Sequence, residues 1–146
     1  MNRTLYLLIT CMVLIACHSK QEKTLSKRWR VGDVVFLDDE KTLAQHDTLQ
    51  LTMLRRHRAA LKDVLLKNLY EFHPDGTYIT GNAAASSSGE WELRGNSIMF
   101  KTNSSGDVKS ANKTIPFDHL SNDSLVLLLN NDQTSVKMKL ILYPAE

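Results

Sequence analysis

Thiols are the side chains best able to form a new bond here, and the chain has two, Cys11 and Cys17. Cys17 closes a segment of definite character. Arg3 supplies a positive charge, Leu5 to Ile15 is apolar apart from Thr10, and Ala16 puts a small side chain directly before the thiol. That apolar run is too short for a spanning helix, which takes ~20 such residues. It suits the apolar region of a secretory signal. A signal peptidase admits little bulk before its cut, so cleavage is expected between Ala16 and Cys17. Cys11 makes a poorer junction, because Thr10 precedes it and the apolar stretch before it is too short.

Leu14-Ile15-Ala16-Cys17 resembles the lipobox of bacterial lipoproteins. The resemblance implies a diacylglyceryl thioether on Cys17, cleavage before it, and acylation of the new N-terminus. Two or more acyl chains hold a protein stably, where one is marginal. Residue 18 is His, not the Asp that marks inner-membrane retention in some bacteria. The implied address is therefore the cell envelope, with the outer membrane favoured over the inner.

Other reactive types are sparse. With residues 1–16 removed, Cys17 is the sole cysteine, which leaves the domain no disulfide, thiol nucleophile or cysteine-bound metal. His46, His57, His73 and His119 lack the spacing of a metal site. Asp118-His119-Leu120-Ser121 gathers an acid, a base and a hydroxyl, but a triad is a spatial arrangement and no nucleophile elbow is present. The expectation is no enzyme and no cofactor. Asp47-Thr48-Leu49 and Asp123-Ser124-Leu125 fit the permissive tripeptide of envelope O-glycosylation, with Thr48 and Ser124 as acceptors.

The elements behind these residues read as follows. Removing residues 1–16 takes only Arg3 from the 18 basic residues, leaving 17 against 16 acidic. Such a balance gives nucleic acid no electrostatic footing. Residues 17–26 are polar and read as a flexible tether, and residues 27–146 suffice for one hydrophobic core. Arg28 to Leu37 reads as a strand with a bulge or kink at Gly32-Asp33. From Thr48 to Lys67 the period becomes helical, with Leu51, Leu54, Leu61 and Leu65 on one face and Arg55, Arg56, Arg58, Lys62 and Lys67 on the rest. Short strands then alternate with turn signals: Pro74-Asp75-Gly76, Arg94-Gly95-Asn96, a polar loop at 103–112, Ser121-Asn122-Asp123 and Asn131-Asp132-Gln133. About eight strands at this spacing predict a mainly-β, antiparallel up-and-down barrel with one amphipathic helix between strands 1 and 2. Closure of the barrel removes exposed edges.

Phe72-His73-Pro74-Asp75-Gly76-Thr77-Tyr78, Gly89-Glu90-Trp91-Glu92-Leu93 and Gly95-Asn96-Ser97-Ile98-Met99-Phe100, together with Trp29, resemble the lipocalin-like domains of small Gram-negative envelope lipoproteins. The likeness runs from Arg28 to Tyr143 and rests on turn and core signatures. It implies the barrel and no catalytic residue. The helical stretch departs from a minimal barrel.

Alternation predicts large inward side chains on every strand, among them Trp29, Tyr70, Phe72, Ile79, Trp91, Phe100, Leu129 and Val136. Trp29, Tyr70, Phe72, Trp91 and Phe100 are the candidates to touch a ligand. Val126 and Leu128 point outward and need a cover, from the helix or a partner. Two functions fit. One is a membrane-anchored binding domain for a small apolar molecule. The other is a packed accessory subunit or inhibitor whose helix face, Arg55, Arg56 and Arg58, meets a protein partner.

Overall fold

The computed structural model describes residues 20–37, 48–102, 112–131 and 136–146, and only the backbone of Asn131 and Val136. Cys17 with the leader, His46, Asp47, the loop at 103–111, the turn after Asn131 and the side chain of Val136 lie outside the described residues.

A short helix, α1 (residues 20–25), opens the described chain. The strands are β1 (Arg28–Phe36), β2 (Leu69–Phe72), β3 (Thr77–Gly81), β4 (Ser86–Arg94), β5 (Ser97–Thr102), β6 (Asn112–Leu120), β7 (Leu125–Asn131) and β8 (Val136–Pro144). Each pairs antiparallel with the next, and β8 returns to β1, so the sheet is a closed eight-stranded barrel. Helix α2 (Thr48–Leu66) stands between the first and second strands. This is the architecture expected from the period of the sequence.

Local chemistry fixes the turns. Asp75 Oδ1 accepts the Thr77 backbone N–H at 2.9 Å and its hydroxyl at 2.7 Å. Gly76 sits at φ 85° and Gly95 at φ 57°, where a Cβ would be strained. The β1 bulge falls between Val31 and Asp33, as Gly32-Asp33 predicts. The ring of Tyr143 occupies the space a Cβ on residue 32 would need. Gly89 serves the sheet differently. A Cβ there would meet the Lys101 carbonyl of β5, so the glycine permits close strand approach.

Inward alternation builds one core from Trp29, Val31, Tyr70, Phe72, Trp91, Leu93, Ile98, Phe100 and the inward residues of β6 to β8. Ile79 is a correction. Cross-strand partners share a face, and Phe72 pairs with Tyr78, so Tyr78 enters the core while Ile79 remains 46 % exposed. Turn register overrode the greater apolarity of isoleucine.

The polar stretch before β1 is also more than a tether. Residues 20–25 are helical, and Leu25 is fully buried in the core. The Trp29 indole N–H donates to the Leu25 carbonyl at 2.9 Å, and Lys27 Nζ donates to the Asn122 carbonyl at 3.1 Å. Helix α1 thus seals the barrel end that carries the β2–β3, β4–β5 and β6–β7 turns. Among the described residues the whole core lies between Leu25 and Leu142, so residues 18–146 contain it.

Candidate functional site

Pairing around the barrel is uneven, and the unevenness makes the site. β7 and β8 pair along their whole length, from Leu125↔Leu142 to Asn131↔Val136. β6 and β7 meet only at Phe117↔Leu127, His119↔Val126 and Leu120↔Leu125. Beyond Phe117 the ladder of paired residues stops. Pro116 supplies a reason. The Phe117 N–H donates to the Asn96 carbonyl on the β5 side, so alternation aims the position of residue 116 toward β7, where proline has no N–H to give.

Beside the unpaired stretch lies a cleft of about 550 Å³ at the barrel end away from α1. Its apolar lining is Leu37, Ile115, Leu128, Leu129 and Met138, and its polar lining includes Asn112, Lys113, Asn130 and Lys137. Ile115 and Met138 belong to the buried core and Leu129 packs against it, so here the interior reaches the surface. Depressions of about 620 and 510 Å³ lie on the outer wall by β1, β2 and β3. Val31 is the one core side chain in either lining, so they are surface grooves rather than entrances.

The five predicted aromatic contacts are all buried, but none lines the cleft. They are held by one another and by the backbone. Phe72 meets Trp91 edge-on at 5.5 Å and Phe100 at 5.9 Å, and Tyr78 meets Phe100 edge-on at 4.9 Å. The Trp91 indole N–H donates to the His73 carbonyl at 3.1 Å. Tyr70 is buried deeply enough to push its phenol above the ordinary range, a hydrogen bond with Thr80 opposing that rise. Sequence reasoning missed Leu37, Asn112, Lys113 and Asn130. Pro116 inside a strand was the available signal.

The helix differs from its expected form on one face. Leu61 and Leu65 pack on the core, but Arg58 turns the same way, with its guanidinium 5.2 Å from the Phe36 ring centre. Lys62 reaches Asp33 at 2.7 Å, and this bond is the chief cause holding the Asp33 carboxyl below its usual range. Arg58 and Lys62 therefore leave the outer basic face to Arg55, Arg56 and Lys67. Val126 and Leu128 are half-buried, and Leu128 joins the cleft lining. Helix α2 packs on β1, not across β7.

The remaining candidates are dispersed. His57 lies on α2, His73 at the β2–β3 turn, 3.8 Å from Glu71, and His119 on β6. No cluster that could hold a metal occurs among the described residues. Asp118 is paired with Lys139 at 2.7 Å, and the Ser121 hydroxyl engages Ser124 across the turn. Thr48 is exposed at the first residue of α2, whereas Ser124 is half-buried.

No protein-family model matches this chain, and no curated protein matches it. Among solved structures it is similar to a DUF4847 family protein from Bacteroides vulgatus, with 14 % identity and a TM-score of 0.47, covering 84 % of this chain and 95 % of that one.

Proposed function

We propose that this chain is a lipid-anchored envelope module that binds a small apolar or amphiphilic molecule in the cleft between β6 and β7. The carrying observation is that cleft, where core residues Ile115 and Met138 line an opening of about 550 Å³. Ligand pockets run to roughly 300–1,000 Å³ with apolar linings and a few polar groups, and this opening has that form. Anchoring through Cys17 rests on the lipobox resemblance and would hold the cleft near a source of amphiphiles.

The test uses residues 18–146 and the neutral fluorescent probe N-phenyl-1-naphthylamine. Saturable binding is expected, weakened at least tenfold by Leu129→Trp, which fills the cleft. Binding that never saturates, or that Leu129→Trp leaves unchanged, refutes the site. A second reading then takes its place, the packed module acting through its surface. It is favoured by the aromatic cluster, which leaves the barrel filled below the cleft.

A further inference from the structure

Helix α2 carries two apolar stripes, and only one faces the barrel. Leu51, Leu54, Leu61 and Leu65 are half-buried toward β1. At 100° per residue, Leu49, Met53, Ala60 and Val64 fall within a sector of roughly 60° centred about 125° around the helix from the first stripe. Leu49 and Met53 are each 61 % exposed and Val64 51 %. The stripe does not stop with the helix. Leu66, Leu69 and Tyr143 border one groove, and Leu69 and Ile79 border the next. Every exposed large apolar side chain among the described residues belongs to α2, to β2, β3 or β8, or to β1 and Leu37 just beyond it; none belongs to β4 through β7. One side of the barrel is greasy and the other is not.

The charges on that side are mostly of one sign. Arg55 and Arg56 are exposed along the outer helix and Arg30 is exposed on β1 beside one groove, whereas Arg28 and Lys67 at the grooves are paired with Glu71 and Asp63. The helix has one acidic residue, Asp63, and Lys67 pairs with it at 2.6 Å. Exposed apolar side chains flanked by arginines are the composition of a helix that lies in a membrane interface. Anionic headgroups attract such a surface electrostatically near the bilayer.

We infer that this side, α2 outermost, is the face the barrel lays against an anionic bilayer. The exposed Arg30, Arg55 and Arg56 complement anionic headgroups, and the exposed apolar side chains beside them suit the acyl boundary beneath.

The folded unit, residues 18–146, is tethered by an N-terminal hexahistidine to vesicles of phosphatidylglycerol, phosphatidylcholine and a nickel-chelating lipid. This arrangement needs no acylation. It lacks cysteine, so an NBD fluorophore can be placed by Met53→Cys or, on the far wall, by His119→Cys. The expected result is blue-shifted emission and quenching by doxyl lipids at position 53, and an aqueous spectrum at position 119. Arg55→Glu with Arg56→Glu, or vesicles of phosphatidylcholine alone, should return position 53 to water. Aqueous spectra at both positions overturn the inference and leave the stripe to a protein partner. So does a shift at position 53 that survives both the charge reversal and Leu49→Glu.

Discussion

Leu25 offers the sharpest test of how this domain is held together. It is fully buried, yet it sits in a helix of six residues whose remaining side chains are half-buried or exposed. Leu25→Ala removes three carbon atoms from the core. At about 0.8 kcal/mol per buried methylene, the transfer loss is about 2.4 kcal/mol. Incomplete collapse of the space brings large core truncations to about 2–5 kcal/mol. A short helix could limit the cost by undocking, but undocking is itself expensive. Trp29, fully buried, would be uncovered and its indole N–H would lose the Leu25 carbonyl, at about 1–3 kcal/mol for the orphaned donor. Either route gives about 3 kcal/mol. Urea denaturation of residues 18–146 by far-UV circular dichroism measures it, with Lys23→Ala on the exposed side of α1 as control. The control should fall within about 0.5 kcal/mol of the parent. A loss below about 1 kcal/mol for Leu25→Ala would show that α1 is no part of the cooperative unit, and the barrel would begin at β1 after all.

Other expectations follow from single contacts. Gly89→Ala drives a methyl against the Lys101 carbonyl and should cost about 1–3 kcal/mol, as overpacking does. Gly95→Ala meets open space but keeps φ at 57°, so it should cost about 1–2 kcal/mol, largely recovered by Gly95→Asn; equal losses for alanine and asparagine in denaturant melts would contradict this. Hydrogen bonds from Thr77, Arg94 and Lys139 hold the carboxyls of Asp75, Glu92 and Asp118 below their ordinary ranges, as Lys62 does for Asp33. Depressed folded-state pKa values add stability that is present above about pH 4 and lost as pH falls through them. Unfolding midpoints should therefore drop on acidification, with a shallower slope in Asp75→Ala; an unchanged slope counts against the turn's share. Finally, Cys17→Ala should abolish incorporation of radiolabelled palmitate in a Gram-negative host, and label retained by the variant would remove the lipobox reading.

Strand number, order and turns are legible because each rests on local chemistry. Pro74-Asp75-Gly76 and Gly95 declare themselves by the backbone conformations they allow, and period two does the rest. Apolarity followed along one strand favours Ile79 over Tyr78, but pairing across the turn from Phe72 holds the answer. Arg58 occupies a wheel position amid Leu51, Leu54, Leu61 and Leu65, so its turn toward Phe36 is also readable. Leu25 is not. A single leucine in a polar stretch carries no period, and only the closed barrel end gives it a place. The cleft lies between the two cases. Pro116 warns that β6 lacks a donor, but which neighbour loses it depends on alternation relative to Phe117.

The partial seam between β6 and β7 has a counterpart across the barrel. β1 pairs with β2 only from Arg28 to Arg30, so its upper half is unpaired on that side as well. The cylinder is mechanically two half-shells: β2 to β6 in one, β7, β8 and β1 in the other, hinged at the end that α1 closes. Helix α2 wedges one gap, with Leu61 and Leu65 reaching the core and Arg58 over Phe36. Nothing among the described residues wedges the other. Pairing of β1 with β8 and of β8 with β7 therefore gives α2 and the cleft a continuous structural connection.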